Sequence, residues 1–364
     1  MITKGIWEDL PDIYRLFFPS FFSEQFPAEA LATCRDCAMC AKADEPRLPN
    51  VQYFQPSAKC CTFYPKLPNY LVGGLLQDQN TSMEEGRRRI RERIASKISV
   101  TPHGISPPKK FSSLLKLGGD KSFGKNRSLL CPYYLKEEGN CSIWKFREAV
   151  CSTYFCKSVA GPEGKKFWNT LKMYLLHVQD CLIWYCFHEM DIDTEKMWDY
   201  LNAYNTDPLD PEDVDELPLP EEIYQGLWGA WLGKEEEFFL ESHQLVQDLS
   251  QDEFVRITGI TQQIMQDLLK KRRQIVVSPE LPIVLKQNPE MKMQKLNEEE
   301  SVVLTMAGFF RIRNALYEVM QLFDGIKTTE EIARIVEEQY NDTLRADLLL
   351  PMYHNRMLLP TQRE

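Results

Sequence analysis

The clearest hydrophobic periodicity lies between residues 163 and 189. Phe167, Leu171, Tyr174, Leu175, Val178, Leu182 and Tyr185 recur at helical spacing and predict one long helix with a broad apolar face. Residues 221–275 continue in helical register, with Tyr224, Leu227, Trp228, Trp231, Phe238, Phe239, Leu245 and Leu249 as core candidates. Residues 82–98 predict a polar helix, opened by the capping-box pair Ser82 and Glu85. Asp191, Asp193 and Glu195 lack the glycine of a calcium loop and read as caps for a helix at 195–202. Residues 1–33 read as a short helical lead-in, with Ile13, Leu16, Phe17 and Phe21 near helical spacing and a break at Pro19.

Three stretches carry no regular pattern. Residues 34–76 are loop-like, because Pro46, Pro49, Pro56, Pro65 and Pro68 deny regular structure; they run into an apolar segment ending at Gln77. Residues 101–128 read as an irregular, Gly/Pro-rich connection. Its Gly119, Gly124 and Lys125 nearly spell a phosphate-binding loop, but Asn126 replaces the required hydroxyl residue and no strand precedes it. Residues 205–221 are an acidic, Pro-rich linker and read as a domain boundary.

Beyond them, 276–285 looks extended and 286–300 forms a polar connection. A strand at 301–305 precedes helices at 314–323, 328–340 and 344–357, and a closing strand follows at the LLP of 358–360. The expected fold is mainly α. A Cys-rich metal-binding domain with long loops (1–204) is followed by an acidic linker and helical region (205–285). A small winged-helix-like α+β domain (286–364) completes the chain.

Composition adds bounds. The chain has 364 residues, 43% hydrophobic and 26% charged, within the range of a soluble globular protein. No basic leader with a long apolar run opens it, and the longest apolar candidate, 167–187, is interrupted by Lys172, His177 and Asp180. A signal peptide and a membrane span are therefore not expected, and a reducing cytoplasm is the default compartment. Net charge is −10, which argues against nucleic-acid binding.

That charge is uneven: residues 78–127 hold 12 Lys/Arg against 5 Asp/Glu, and residues 191–253 hold 19 Asp/Glu against 2 Lys. The two regions either attract each other or form two solvated faces. The run Lys270 to Arg273 would sit at a helix C-terminus, where cations are favoured.

Eleven cysteines change the picture most. Cys34, Cys37 and Cys40 form a C-x2-C-x2-C run, followed by the adjacent pair Cys60 and Cys61. Cys131, Cys141, Cys151 and Cys156 form a second group. In a reducing compartment such clustering points to metal ligation. Three ligands from one loop and one from elsewhere suits an iron–sulfur cluster, and four thiolates suit zinc equally. Nine thiols serve one or two four-ligand centres, and their partition stays open. On the long helix, His177, Cys181, Trp184 and His188 share one stripe. They are either ordinary helix positions or a ligand or proton donor facing the metal.

The order CPYY, CSIW, FREAVC, STYFC over 131–156, with CRDCAMC upstream, resembles the YkgJ-type cysteine-cluster proteins, described as zinc- or iron-chelating. The upstream half departs from that family: Ala41 follows Cys40, and the CC pair comes 20 residues later. The resemblance covers about residues 34–156 and implies a metal centre. The segment RNALYEVMQLFDGIKTTEEIARIVEEQY is similar to PqqD-type peptide-binding domains over about 300–360, which implies binding of a peptide or protein segment by strand addition.

The function expected is a cytoplasmic metal-cluster protein, 4Fe–4S favoured over zinc, whose C-terminal domain binds a peptide or protein. The alternative is a redox or peptide-modifying metalloenzyme acting on that partner. A DNA-binding regulator is disfavoured, since 328–340 carries four Glu and only Arg334 as a base.

Overall fold

The computed structural model describes residues 3–17, 20–29, 37, 39–41, 53–155, 158–210, 213, 216–277 and 281–361. In chain order the first elements are β1 (Thr3–Gly5), β2 (Gln25–Pro27), β3 (Leu67–Pro68), α1 (Asn69–Gln77), α2 (Glu84–Ser96), β4 (Val100–Thr101), β5 (Gly104–Ile105) and α3 (Lys109–Ser122). Next come β6 (Tyr134–Leu135), β7 (Asn140–Cys141), α4 (Ala149–Thr153), α5 (Gly161–Glu189), α6 (Thr194–Thr206), α7 (Glu221–Trp228), α8 (Glu235–Gln247) and α9 (Gln251–Val277). The C-terminal part adds β8 (Val284–Gln287), β9 (Lys292–Lys295), β10 (Glu300–Thr305), β11 (Gly308–Arg313), α10 (Asn314–Gln321), β12 (Asp324–Thr328), α11 (Thr329–Tyr340), α12 (Ala346–His354) and β13 (Leu358–Pro360). The described chain is mainly helical with small sheets.

The long helix α5 buries Phe167, Leu171, Tyr174, Leu175, Val178 and Leu182, as its periodicity predicts. It runs antiparallel to α9: Glu163 pairs with Arg272 at one end, and His177 meets the Thr258 carbonyl towards the other. A second axis is α1, buried from Asn69 to Leu76 and packed on α8. Its glycines permit that contact. A Cβ on Gly73 would fall 1.8 Å from the Phe239 carbonyl oxygen, and one on Gly74 would fall 2.7 Å from the His243 ring. One hydrophobic core draws on residues from Ile6 to Val276, and both sides of the acidic segment contribute to it. A second core runs from Leu285 to Leu358.

In the C-terminal part β8 lies between β12 and β13, antiparallel to both, while β9, β10 and β11 form an antiparallel meander. Contacts among the described residues join it to the rest, including the packing of α12 on α5. The Asn355 amide donates to the Val159 carbonyl at 3.2 Å, and the Tyr53 and Phe309 rings lie 5.9 Å apart.

Several expectations need correction. The N-terminal segment is a series of short 3-10 turns flanked by the paired strands β1 and β2, because Pro11 and Pro27 limit helix growth. Residues 109–122, expected to be irregular, form α3, which starts after Pro108 and kinks at Gly119 (φ +44). Ser82 does not cap α2: its amide and hydroxyl both donate to Asn80 Oδ1, and Glu85 binds Arg88 and Arg89 instead. The Lys270 to Arg273 run lies inside α9, which continues to Val277; Arg272 and Arg273 pair with Glu163 and Glu24. The polar connection 286–300 contains β9.

The basic and acidic regions do meet. Arg91 pairs with Glu236, Lys97 with Glu221, Lys109 with Asp213 and Lys110 with Glu216.

Candidate metal centre

Five short pieces of chain carry the described cysteines of the two groups, and hydrogen bonds knit them together. Cys37 and Cys40 sit on one turn, where the Cys40 amide donates to the Cys37 carbonyl at 3.1 Å. Phe54 docks beside it: its amide donates to the Met39 carbonyl at 2.7 Å, and residues 40 and 54 form a parallel bridge. Residues 55–63 then coil through successive turns. Lys59 adopts a left-handed conformation (φ +52), and Cys60 and Cys61 follow it.

The amide of Cys131 donates to the Cys61 carbonyl at 2.7 Å, fixing the second cysteine group against the first. From there β6 and β7 form a hairpin that places Tyr134 opposite Cys141. Lys59 closes the arrangement by donating from Nζ to the Gly139 carbonyl at 3.0 Å, from the coil to the hairpin turn. Cys151 lies on α4, whose N-terminus is capped by the buried Glu148. That carboxylate accepts from the Val150 amide at 2.7 Å and the Cys151 amide at 2.9 Å. Gln179 of α5 accepts the Ala149 amide at 2.9 Å, so the long helix positions this cysteine.

The thiols feel one another. The neighbouring Cys37 thiol, then burial, raises the pKa of Cys40. Cys61 is raised by the Cys60 thiol, burial, and Cys131 and Cys141. Burial raises Cys131, with Cys141 adding to it. Burial also raises Cys151, with further contributions from Glu148, Cys131 and Cys141. Cys60 is felt by both Cys40 and Cys131, and so links the two groups. Lys59, Arg89 and Arg147 offset part of this repulsion at Cys40, Cys131 and Cys151 respectively. Such crowding favours neutral thiols until a cation supplies the missing positive charge.

Seven of the nine candidates, Cys37, Cys40, Cys60, Cys61, Cys131, Cys141 and Cys151, thus share one neighbourhood. Cys34 and Cys156 lie outside the described residues. Among the described residues, no three Cys, His, Asp or Glu side chains form a group that could hold a metal ion. The chemistry of the donor set, sheltered thiols with few competing oxygens, suits zinc or iron–sulfur ligation.

The stripe on α5 faces elsewhere. His177 donates from Nε2 to the Thr258 carbonyl at 3.0 Å, and Cys181 Sγ lies 3.8–3.9 Å from the same ring. Cys181 and His188 line an open groove of about 430 Å³ with Asp180, Trp184, Tyr185, Glu189, Arg256 and Ile257. His177 thus meets α9, Trp184 packs on Phe187 and Trp198, and His188 pairs with Glu189.

Sequence reasoning missed Glu148, Lys59 and Arg89. Arg89 donates to the Tyr134 carbonyl at 3.1 Å and to the Pro132 carbonyl, docking α2 on the hairpin. The FREAVC step contains Glu148 three residues before Cys151, a spacing that signals an N-cap. Lys59 and Arg89 act across gaps of 80 and 45 residues and carry no such signal. No family model, characterised protein or solved structure matches the chain.

Proposed function

We propose that this chain is a metal-cluster protein of a reducing compartment, with an iron–sulfur cluster favoured over zinc. Its winged-helix-like C-terminal unit binds a peptide or protein segment. The observation that carries this reading is the convergence of the Cys60–Cys61 pair on Cys131 and Cys141, from positions 70 and more residues apart. Thiols in a reducing compartment seldom converge from distant segments without a metal or redox role.

Cys37, Cys40, Cys60, Cys61, Cys131, Cys141 and Cys151 are the proposed donors, with Cys34 and Cys156, and binding would draw together thiols that do not form a ligand group among the described residues. When bound, the group would supply either a structural cross-link or a one-electron redox couple. The chain's own residues do the rest. Glu148 and Gln179 hold α4, Lys59 and Arg89 hold the coil and hairpin, and the cations Lys59, Arg89 and Arg147 balance thiolate charge.

A second reading, a redox or peptide-modifying metalloenzyme, is supported by one contact. Phe309 of β11 stacks near Tyr53, the residue beside Phe54, which would bring a segment held at the C-terminal unit close to the cysteines.

Anaerobic purification with metal and sulfide analysis and a UV–visible spectrum tests the proposal. Iron, acid-labile sulfide and broad absorption near about 400 nm are expected. A colourless zinc protein would replace the redox reading with a structural one, and a metal-free protein would sink both.

A further inference from the structure

The α5 stripe takes no part in the proposed metal centre, yet it forms one wall of the groove of about 430 Å³ whose other wall is Arg256 and Ile257 of α9. That volume falls in the range of small-molecule sites. Trp184, Tyr185 and His188 share the wall with Cys181 because they lie 3, 4 and 7 positions beyond it. Beside the thiol stands a base. Cys181 Sγ lies 3.8–3.9 Å from the two ring nitrogens of His177. His177 Nε2 is 3.0 Å from the Thr258 carbonyl, which can only accept, so Nε2 carries the proton and Nδ1 keeps its lone pair. Burial and the neighbouring Asp180 raise the pKa of Cys181, so the thiol rests protonated and needs that base to react. A nucleophile beside a base that a third group orients is the arrangement that activates a weak nucleophile. Cys186, five positions on, is the contrast: it is fully buried and donates to the Ser242 carbonyl at 3.7 Å.

We propose that Cys181 is a modification site that forms a mixed disulfide with a zwitterionic low-molecular-weight thiol, delivered as its disulfide. The lining chooses the ligand. His188 and Glu189 pair with each other at 3.1 Å, while Arg256 and Asp180 form no ion pair among the described residues. The groove therefore presents one uncommitted cation and one uncommitted anion, and a molecule bearing both a carboxylate and an ammonium matches them. Trp184, Tyr185 and Ile257 give apolar walls to its carbon chain. An open groove holds a small molecule weakly by such contacts alone, and the covalent bond supplies the retention.

The exchange balances without a further oxidant. His177 Nδ1 takes the thiol proton as Sγ attacks one sulfur of the disulfide. A bond forms between Sγ and that sulfur, the ligand's own S–S bond breaks, and the departing thiolate takes the proton from His177. Cys181 is oxidised and the departing half of the ligand is reduced. The ligand's ammonium beside Asp180 also offsets the carboxylate charge that opposes thiolate formation.

The test incubates the full chain, purified anaerobically with the metal it carries, with oxidised glutathione at neutral pH and maps adducts by peptide mass spectrometry. Cys181 should be modified and Cys186 untouched. With each rate normalised to that of a free model thiol, Cys181 should prefer oxidised glutathione over the uncharged disulfide of mercaptoethanol by at least about tenfold. Arg256→Ala, at an exposed position, should erase that preference. His177→Gln, with an unchanged circular dichroism spectrum, should slow both reagents at least about tenfold. An unmodified Cys181 overturns the inference. So do equal normalised rates with the two disulfides, a preference that survives Arg256→Ala, or a rate indifferent to His177→Gln.

Discussion

At the scale of single residues, the cysteines divide by what surrounds them. Cys131 is buried beside Cys141 and bonded through its backbone to Cys61, whereas Cys181 lines a groove with His188, Trp184 and Tyr185. Cys131→Ser should therefore lower bound metal by at least about half, while Cys181→Ser leaves it unchanged; elemental analysis of the two purified variants decides.

His103 makes a different claim. Burial, with the Lys66 ammonium nearby, lowers its pKa to about 4. A base whose folded pKa is depressed binds fewer protons when folded, so its contribution to stability is present above pH 6.5 and is lost as pH falls towards 4. Unfolding free energies from urea titrations between pH 7 and pH 4 should fall by about 1–3 kcal/mol, and His103→Gln should flatten that part of the profile.

Local residue chemistry was legible where partners lie three or four apart. A cap at Thr328 or Thr329 is legible from the sequence, and Thr328 fills it, in a reciprocal box with Glu331. The similar pair Ser82 and Glu85 misled, because Asn80 competes for Ser82 and two arginines compete for Glu85.

At the scale of elements, close approach matters more than periodicity. The segment after the proline-rich loop reads as merely apolar, yet as α1 it lies so near α8 that no side chain fits at residue 73. Gly73→Ala should cost about 3 kcal/mol or more, because its clash is with backbone that cannot rotate away; thermal melts compared with Gly226→Ala, which meets open space, provide the check. Gly226→Ala should raise stability by a few tenths of a kcal/mol through its helix propensity.

Helices α5, α7 and α8 were legible from their apolar spacing. Strand β9 was not: all four of its residues are exposed, and only pairing with β10 makes it a strand. The helix α3 was hidden by its flanking prolines and internal glycines, which suggest loop when context is absent.

At the scale of the whole molecule, two hydrophobic cores share no members and are joined by a few polar and aromatic contacts, among them Asn355 to Val159. Calorimetry should therefore resolve two unfolding transitions. Added metal should raise the transition of the larger core alone, because ligand binding stabilises only the unit that holds it. A single cooperative transition would show the two cores to be coupled through their interface. The charge asymmetry also belongs to this scale: Asp213, Glu216, Glu221 and Glu236 each pair with a cation on or next to α2 and α3.

The amino-acid sequence alone determined what depends on neighbours within a few turns. That includes the long amphipathic helices, the α11 cap, the absence of any helix long and apolar enough to cross a membrane among the described residues, and the grouping of thiols along the chain. Only the tertiary structure decided what depends on distant residues meeting. It brought Cys61 to Cys131, turned His177 and Cys181 towards α9, laid acidic chain on basic helices, and left one face of α9 apolar and uncovered. The reason is physical. Periodicity records which side of an element avoids water, while the choice of contact is set by packing and charge between segments that the order of residues does not bring together.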